Sequence, residues 1–527
     1  MTAPGASGHD RSASQGWIAR LVASHAVLAA GVGLIGGIGI AFIGARISPL
    51  LGLAGVLGAG ATAFFLRFPV LALYALAFAV PVERFGRISD DTSTFTLSIT
   101  RGIGVLAMMA LVPVLVMHRR RPFVNGALLL WTVFTGICLL TLTYTSDLIP
   151  GVRVAAGYVG NILFLFTVMN LVRGDTVEET RHRAHITIIW WLVASTAVAL
   201  YSIYDWHLGS GRTGGIPVTD INPQAGAQLA EYRWSTVWMD SAEEMTLGGL
   251  SIRRSMGSTS HAAVFGINLI MSIPFYFYVI CRERGRALAA LMWVGLAASL
   301  YCVLLTNTRA TLAVAIGVMG LCVLFRLVRI TSAMIMGGIV LVLVAPFALP
   351  EDIFDRVLDW KNYSTTRSAA MQIRLDYWVA GRHAIADHWL LGNGMGNQRV
   401  VLDYLRNPIE GKSHMHNIYL QTLMDVGVVG WAVFLAFLGV VVRSSVRAMR
   451  IFRAIGDRPS HEFMSAAVVL IIGVLVYGLQ VDVFYFPLKA WWLVLGLVFV
   501  MSHHAEQAAK SIQSPPRNTD DHATAHA

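Results

Sequence analysis

Two histidines two residues apart, His414 and His416, stand in SHMHNIYLQTLMDVGVVGW, where a long polar segment gives way to an apolar run. Imidazole ordinarily titrates at about 6.5, so it accepts a proton at neutral pH without tuning, as a hydroxyl nucleophile requires of a base. A single histidine at such a junction is as readily an interfacial side chain or a helix cap. A pair followed by Asn417 reads as a site. Arg309, in LLTNTRATLAV, lies in a turn of a few residues between two apolar runs. A guanidinium there either snorkels to lipid headgroups or offers a forked, permanent charge to a phosphate. Arg374 in QIRLDYW and Arg153 in IPGVRVAAG occupy comparable places, and several such arginines around one cavity would hold a diphosphate. Arg253 and Arg254 precede a small-residue turn and His261 in IRRSMGSTSHAAVFG, which is either an anion site at a helix N-terminus or simply a capped helix start.

Other chemistries lack their residues. The sequence has no nucleotide-binding P-loop, no zinc-protease HExxH, no nucleophile-elbow GxSxG and no dinucleotide fingerprint. Cys138, Cys281, Cys302 and Cys322 lie in or beside apolar segments without metal-ligand spacing, so neither a disulfide, a metal nor a cofactor is expected. The carboxylate pairs Asp90/Asp91, Glu243/Glu244 and Glu351/Asp352 could serve a glycosyl transfer but read more readily as solvated loop charge.

The elements that must position these residues follow from composition. Of 527 residues, 56% are hydrophobic and 13% charged, where soluble domains carry about 25% charged residues; this excludes a water-soluble globule. A bilayer core of about 30 Å asks for roughly 20 apolar residues as helix. Fourteen such segments are expected near 24–45, 47–66, 68–82, 102–117, 124–145, 154–172, 184–204, 261–281, 287–306, 309–326, 331–349, 416–442, 463–482 and 486–502. The net charge of +10 is spread over clusters beside these runs and forms no single basic face, so nucleic acid is not a partner. With the N-terminus in the cytoplasm, the clusters at Arg67, Arg119–Arg121, Arg173–Arg183, Arg282–Arg286, Arg326–Arg329 and Arg443–Arg458 fall inside. Only Arg46, Arg84, Arg87, Arg101, Arg153, Arg309 and Lys489 fall in the short loops outside. That bias is the positive-inside pattern, with both termini cytoplasmic.

The organisation expected is therefore all-α and polytopic, with twelve to fourteen transmembrane helices. A tail at 1–23 precedes a membrane domain at 24–502, and a disordered cytoplasmic tail at 503–527 follows it. Two long segments face outward, 205–260 and 350–415. The second carries an amphipathic helix over 371–389 with Met371, Leu375, Trp378, Val379, Ile385, Ala386 and Trp389 on one stripe, followed by the glycine-rich turn LLGNGMGNQ.

In three strings, TNTRAT, RLDYWVAGRHAIADHWLLGNGMGN and HNIYLQTLMDVGVVGW, taken in order with a long outer loop before the histidine, the chain resembles the bacterial O-antigen ligase and polymerase superfamily of membrane glycosyltransferases. The resemblance is strongest over 250–440. It implies a GT-C-like membrane fold in the bacterial inner membrane and an inverting, metal-independent transfer at the periplasmic face. The donor implied is an undecaprenyl diphosphate-linked oligosaccharide, and the acceptor a glycan or lipid A-core. It also implies that Arg309 holds the donor diphosphate, that His416 activates the acceptor and that Arg374 matches a further loop arginine. At STSHAAVFG relatives carry a Pro-Asn pair, so the resemblance assigns Arg254 and His261 no role. Polymerase, ligase and protein glycosyltransferase remain alternatives within this class. A lipid-linked glycan flippase is the alternative outside it, disfavoured because ionisable groups are nearly absent from the spans.

Overall fold

The structure is a computed structural model and describes residues 49–82, 99–117, 121–208, 242–247, 250–259, 261–283, 285–328, 363–397, 400–405, 415–485 and 488–513. Twelve of the expected apolar segments are helices: α1 (Pro49–Arg67), α2 (Pro69–Ala79), α3 (Ile99–Met117), α4 (Gly126–Thr141), α5 (Leu148–Val172), α6 (Val177–Leu208), α7 (Ala262–Arg282), α8 (Arg286–Leu305), α9 (Arg309–Leu324), α11 (Ile418–Ala454), α12 (Arg458–Tyr477) and α13 (Lys489–Gln513). The segments 24–45 and 331–349 lie outside the described residues, as do His414, Asp90/Asp91 and Glu351/Asp352. Among the described residues, six helices, α5, α6, α7, α8, α11 and α12, are long and apolar enough to cross a membrane.

The starts of several helices are written in the sequence. Asn125 accepts from the Leu128 N–H, Asn417 from those of Tyr419 and Leu420, and Asp457 from that of Ser460, each satisfying donors that a helix leaves without partners. The bundle is centred on α7 and α12, whose apolar windows are 83% and 72% buried. Beside them Trp131, Phe437, Phe484 and Trp492 form an aromatic cluster, with Trp131 and Trp492 ring centres 4.6 Å apart.

Within 205–260 the described residues include an antiparallel hairpin of β1 (Ala242–Leu247) and β2 (Leu250–Ser255), beside an otherwise helical fold. Its register sets Glu243 opposite Arg254 and Glu244 opposite Arg253. One expectation is corrected. The tail expected to be disordered after Ser502 continues as helix to Gln513, because His504 is buried against the Thr180 hydroxyl at 3.0 Å.

The amphipathic helix exists as α10 (Tyr363–Asp387), but the stripe is rotated. Leu375, Val379, Ala386 and Trp389 are exposed, and the inward face carries Tyr377, Ala380, Gly381 and Ala384. Small residues face inward because the chain around Met415 lies close beneath; a methyl group at Gly381 would collide with the Met415 side chain. Trp378 and Ile385 of the stripe pack against this buried cluster, while Leu375, Val379 and Ala386 stay uncovered.

The glycine-rich turn after α10 is bound into α11. At Gly427, φ is +63°, and the helical hydrogen bonding of α11 is interrupted. The Met424 carbonyl accepts from the Asn393 N–H at 2.8 Å, the Asp425 carbonyl from the Gly394 N–H at 3.0 Å, and the Val428 N–H donates to the Trp389 carbonyl at 2.9 Å. The turn thereby supplies partners for backbone groups that an unbroken helix would satisfy itself. Gly392, Gly394 and Gly396 all have φ between +77° and +95°, which side chains resist. The other face of the turn meets the α4–α5 loop, where Tyr144 Oη donates to the Leu391 carbonyl at 2.6 Å and Ser146 Oγ to Asn397 Oδ1 at 2.8 Å.

Candidate functional site

The first turns of α7, α9 and α11 and the last turn of α12 meet at one end of the bundle, around the Tyr477 hydroxyl. That hydroxyl donates to the Ala263 carbonyl at 2.9 Å and pairs with Thr311 Oγ1 at 2.9 Å. One residue later, the Gly478 carbonyl accepts from the Ile418 N–H at 2.9 Å. Residues two positions from these contacts are the ones the sequence singles out: His261 before Ala263, Arg309 before Thr311 and His416 before Ile418.

Arg309 is the first residue of α9 and is exposed. The turn leading to it places Asn307 at φ +48°. Arg254 is 8% exposed and braces that turn, donating through Nε to the Thr306 carbonyl at 3.2 Å and through Nη2 to Thr308 Oγ1 at 2.6 Å. Its described role is thus to shape the approach to Arg309. His261 accepts the Ala263 N–H on Nδ1 at 3.1 Å, which is the capped helix start of the simpler reading.

His416 is exposed and has φ +50°. Among the described residues only three non-glycines have positive φ, and two of them, Asn307 and His416, flank or are candidate catalytic residues. Such conformations persist where surrounding contacts enforce them. Here the enforcing group is Asp482, whose Oδ2 accepts the His416 N–H at 3.1 Å and whose Oδ1 accepts the Asn417 N–H at 2.8 Å. On the other side, Trp378 Nε1 donates to the Met415 carbonyl at 2.8 Å, so α10 clamps the preceding residue.

Arg374 on α10 donates through Nη1 to Gln480 Oε1 at 2.8 Å. Burial lowers the Arg374 pKa from its ordinary value, and the fields of Asp482 and Tyr477 oppose that shift. The Asp482 carboxyl is 3% exposed, and burial pushes it up to about 7 against the pull of its two N–H donors and the Arg374 charge. Arg254 and Arg374 both lie within electrostatic reach of Tyr477. Cations, an imidazole and one nearly buried carboxyl therefore share a single neighbourhood, suited to binding an anion and moving one proton.

Arg153 takes a different place. It is exposed on α5, two residues after Gly151, which packs against Met395 and Gly396 of the glycine-rich turn. The described contacts of that stretch lead to the turn and not to Tyr477.

Sequence reasoning missed Gln480 and Asp482. Their signal was two polar side chains, Gln480 and Asp482, among the apolar Val481, Val483 and Phe484, just before the 3-10 turn Val483–Tyr485. Val483 and Phe484 are 1% and 5% exposed, the latter set in the aromatic cluster against Trp131 and Trp491. Among the described residues no cluster of His, Cys, Asp and Glu suits a metal ion.

Residues 294–435 match the model of a family described as O-antigen ligase, from the middle of α8 to the middle of α11. This supports the resemblance to the O-antigen ligase and polymerase superfamily over that segment. The matched stretch includes Arg309, Arg374 and His416, while Arg153, Arg254, His261, Tyr477, Gln480 and Asp482 lie outside it. No curated protein matches the chain.

Proposed function

Proceeding from a chain whose central segment matches the O-antigen ligase family, we propose an inverting, metal-independent glycosyltransferase at the periplasmic face of the bacterial inner membrane. It takes saccharide from undecaprenyl diphosphate and polymerises the repeat units of a surface polysaccharide. The observation that carries this reading is the convergence of the chain around Arg309, Arg374 and His416 on the Tyr477–Asp482 corner.

The reaction needs little covalent help, because the diphosphate is already a leaving group. An acceptor hydroxyl oxygen bonds to the anomeric carbon as the carbon–oxygen bond to the diphosphate breaks, and the electron pair leaves with the diphosphate. Arg309 and Arg374 stabilise that growing charge, which gains rate because the interaction is stronger in the transition state than in the ground state. His416 takes the hydroxyl proton. Asp482 acts on the backbone of His416 and fixes where the imidazole stands. Arg254 and His261 are assigned to supporting the donor and acceptor positions beside this centre, and Arg153 and His414 are further substrate-binding candidates.

A ligase acting on lipid A-core uses the same donor chemistry. The polymerase reading is favoured by the large additional outer segment, 205–260, beside the one at 350–415. The experiment is incubation of purified protein with a defined undecaprenyl diphosphate oligosaccharide. A ladder of products is expected; a single shift on added lipid A-core would mean ligase, and no covalent product would overturn the enzyme reading in favour of transport. His416→Ala and Arg309→Ala proteins that insert normally and still transfer at the parental rate would overturn the residue assignments.

A further inference from the structure

The connection between α12 and α13, described over 478–485 and here called the hairpin, lies outside the family-matched segment, yet it touches both halves of the proposed reaction centre. Gly478 and Asp482 hold the backbone on the His416 side, while the Gln480 side chain holds Arg374, which comes from α10 about a hundred residues earlier. The hairpin is anchored from below by Val483 and Phe484 in the aromatic core. Its polar side chains are therefore presented from a fixed platform.

Gln480 is the residue whose chemistry the reaction does not yet explain. Arg374 is tied through one nitrogen to an amide oxygen, and an amide accepts a hydrogen bond without contributing a full negative charge. A carboxylate at the same place would orient the guanidinium equally well but compensate its charge. The amide keeps the group aimed without adding a second full negative charge to the Asp482 carboxyl already within electrostatic reach of it.

We propose that Gln480 is a positioning residue that sets Arg374 for the donor diphosphate, so that one rigid hairpin fixes the spacing between the anion-binding arginine and His416. This rests on the reading of Arg374 as a diphosphate ligand. Gln480 itself touches no substrate. Its contribution is to hold a long, rotamer-rich side chain in one geometry before the ligand arrives, which lowers the ordering cost of binding.

The test is a double-mutant cycle on the purified full chain, with undecaprenyl diphosphate alone as the probe and its dissociation constant as the readout. Gln480→Ala is expected to weaken binding about tenfold, a coupling typical of residues in direct contact. Gln480→Glu, nearly isosteric and so less open to misfolding, is expected to weaken it at least as much, because it compensates the charge it orients. In an Arg374→Ala background, Gln480→Ala is expected to add nothing, while the thermal midpoint and the Michaelis constant for acceptor stay at the parental values. A Gln480→Glu protein that binds the probe as tightly as the parent, or effects of Gln480 and Arg374 that simply add, would overturn the inference with the diphosphate reading intact. A parent that does not bind the probe at all would overturn that reading and this inference together.

Discussion

The two ends of the bundle use arginine differently. At the end opposite the candidate site, Arg181 meets both oxygens of Asp457, at 2.8 and 3.0 Å, with both side chains mostly buried. Nearby, Arg183 pairs with Glu179, Arg458 with Glu462 at 2.7 Å, and His185 lies 2.6 Å from Glu283. At the site end, Arg374 is held by the amide oxygen of Gln480. The Arg181–Asp457 pair joins two helices by matching charge to charge, whereas Arg374 is aimed by a neutral oxygen. The lesson is that the acceptor opposite an arginine says more about its task than the arginine does.

The largest effect that would break this contrast lies at the site end. His416→Ala is expected to lower transfer by about 10²–10⁴-fold, the range of general-base help, with normal membrane insertion. Product formation from the lipid-linked donor measures it, and an equal loss from Arg181→Ala would erase the distinction between the ends. Next is Arg374→Ala against Arg181→Ala. The first is expected to raise the Michaelis constant for donor at an unchanged thermal midpoint. The second is expected to cost about 1–3 kcal/mol of stability, as for hydrogen bonds to charged groups, with catalysis per folded molecule unchanged. Thermal unfolding in detergent beside steady-state kinetics separates them.

Gly427→Ala tests what lies between. Its φ of +63° and the nearby Leu390 backbone leave no room for a methyl group, so a loss of about 1–3 kcal/mol is expected from forcing a side chain into that conformation. The fall should appear in the thermal midpoint, and faster proteolysis after α10 should accompany it. The last test, read as a slope and not as a single loss, is the pH dependence from Asp482. Its carboxyl, raised from 3.8 to about 7, stays protonated in the folded chain where the unfolded chain has released the proton. This group's contribution therefore makes stability fall as pH rises from about 4 to about 7, and Asp482→Asn should flatten that slope in thermal unfolding across the window.

Much of the fold is legible because membrane spans announce themselves by length and apolarity. The helix caps are legible too, since Asn125, Asn417 and Asp457 carry the side chains that helix starts require. Tyr477 was hidden because a tyrosine at the end of an apolar run looks like core or interface. Asp482 was hidden because one carboxylate in a short hairpin has no paired partner in sequence; its partners are backbone N–H groups some 65 residues away. The rotated face of α10 was hidden for a related reason, since hydrophobic periodicity reports a stripe but not which surface covers it.

The residues by themselves determined that this chain is a bundle of apolar helices with basic clusters between them, and that Arg309, Arg374 and His416 are the side chains to watch. These properties are local: they depend on run length, charge and the chemistry of single side chains. Only the tertiary structure decided that the turns carrying these residues close on Tyr477, that Gln480 and Asp482 set them in place, and that Gly427 lends its broken helix to a distant turn. Those are agreements between segments far apart in the chain, made by hydrogen bonds whose partners no local pattern can name.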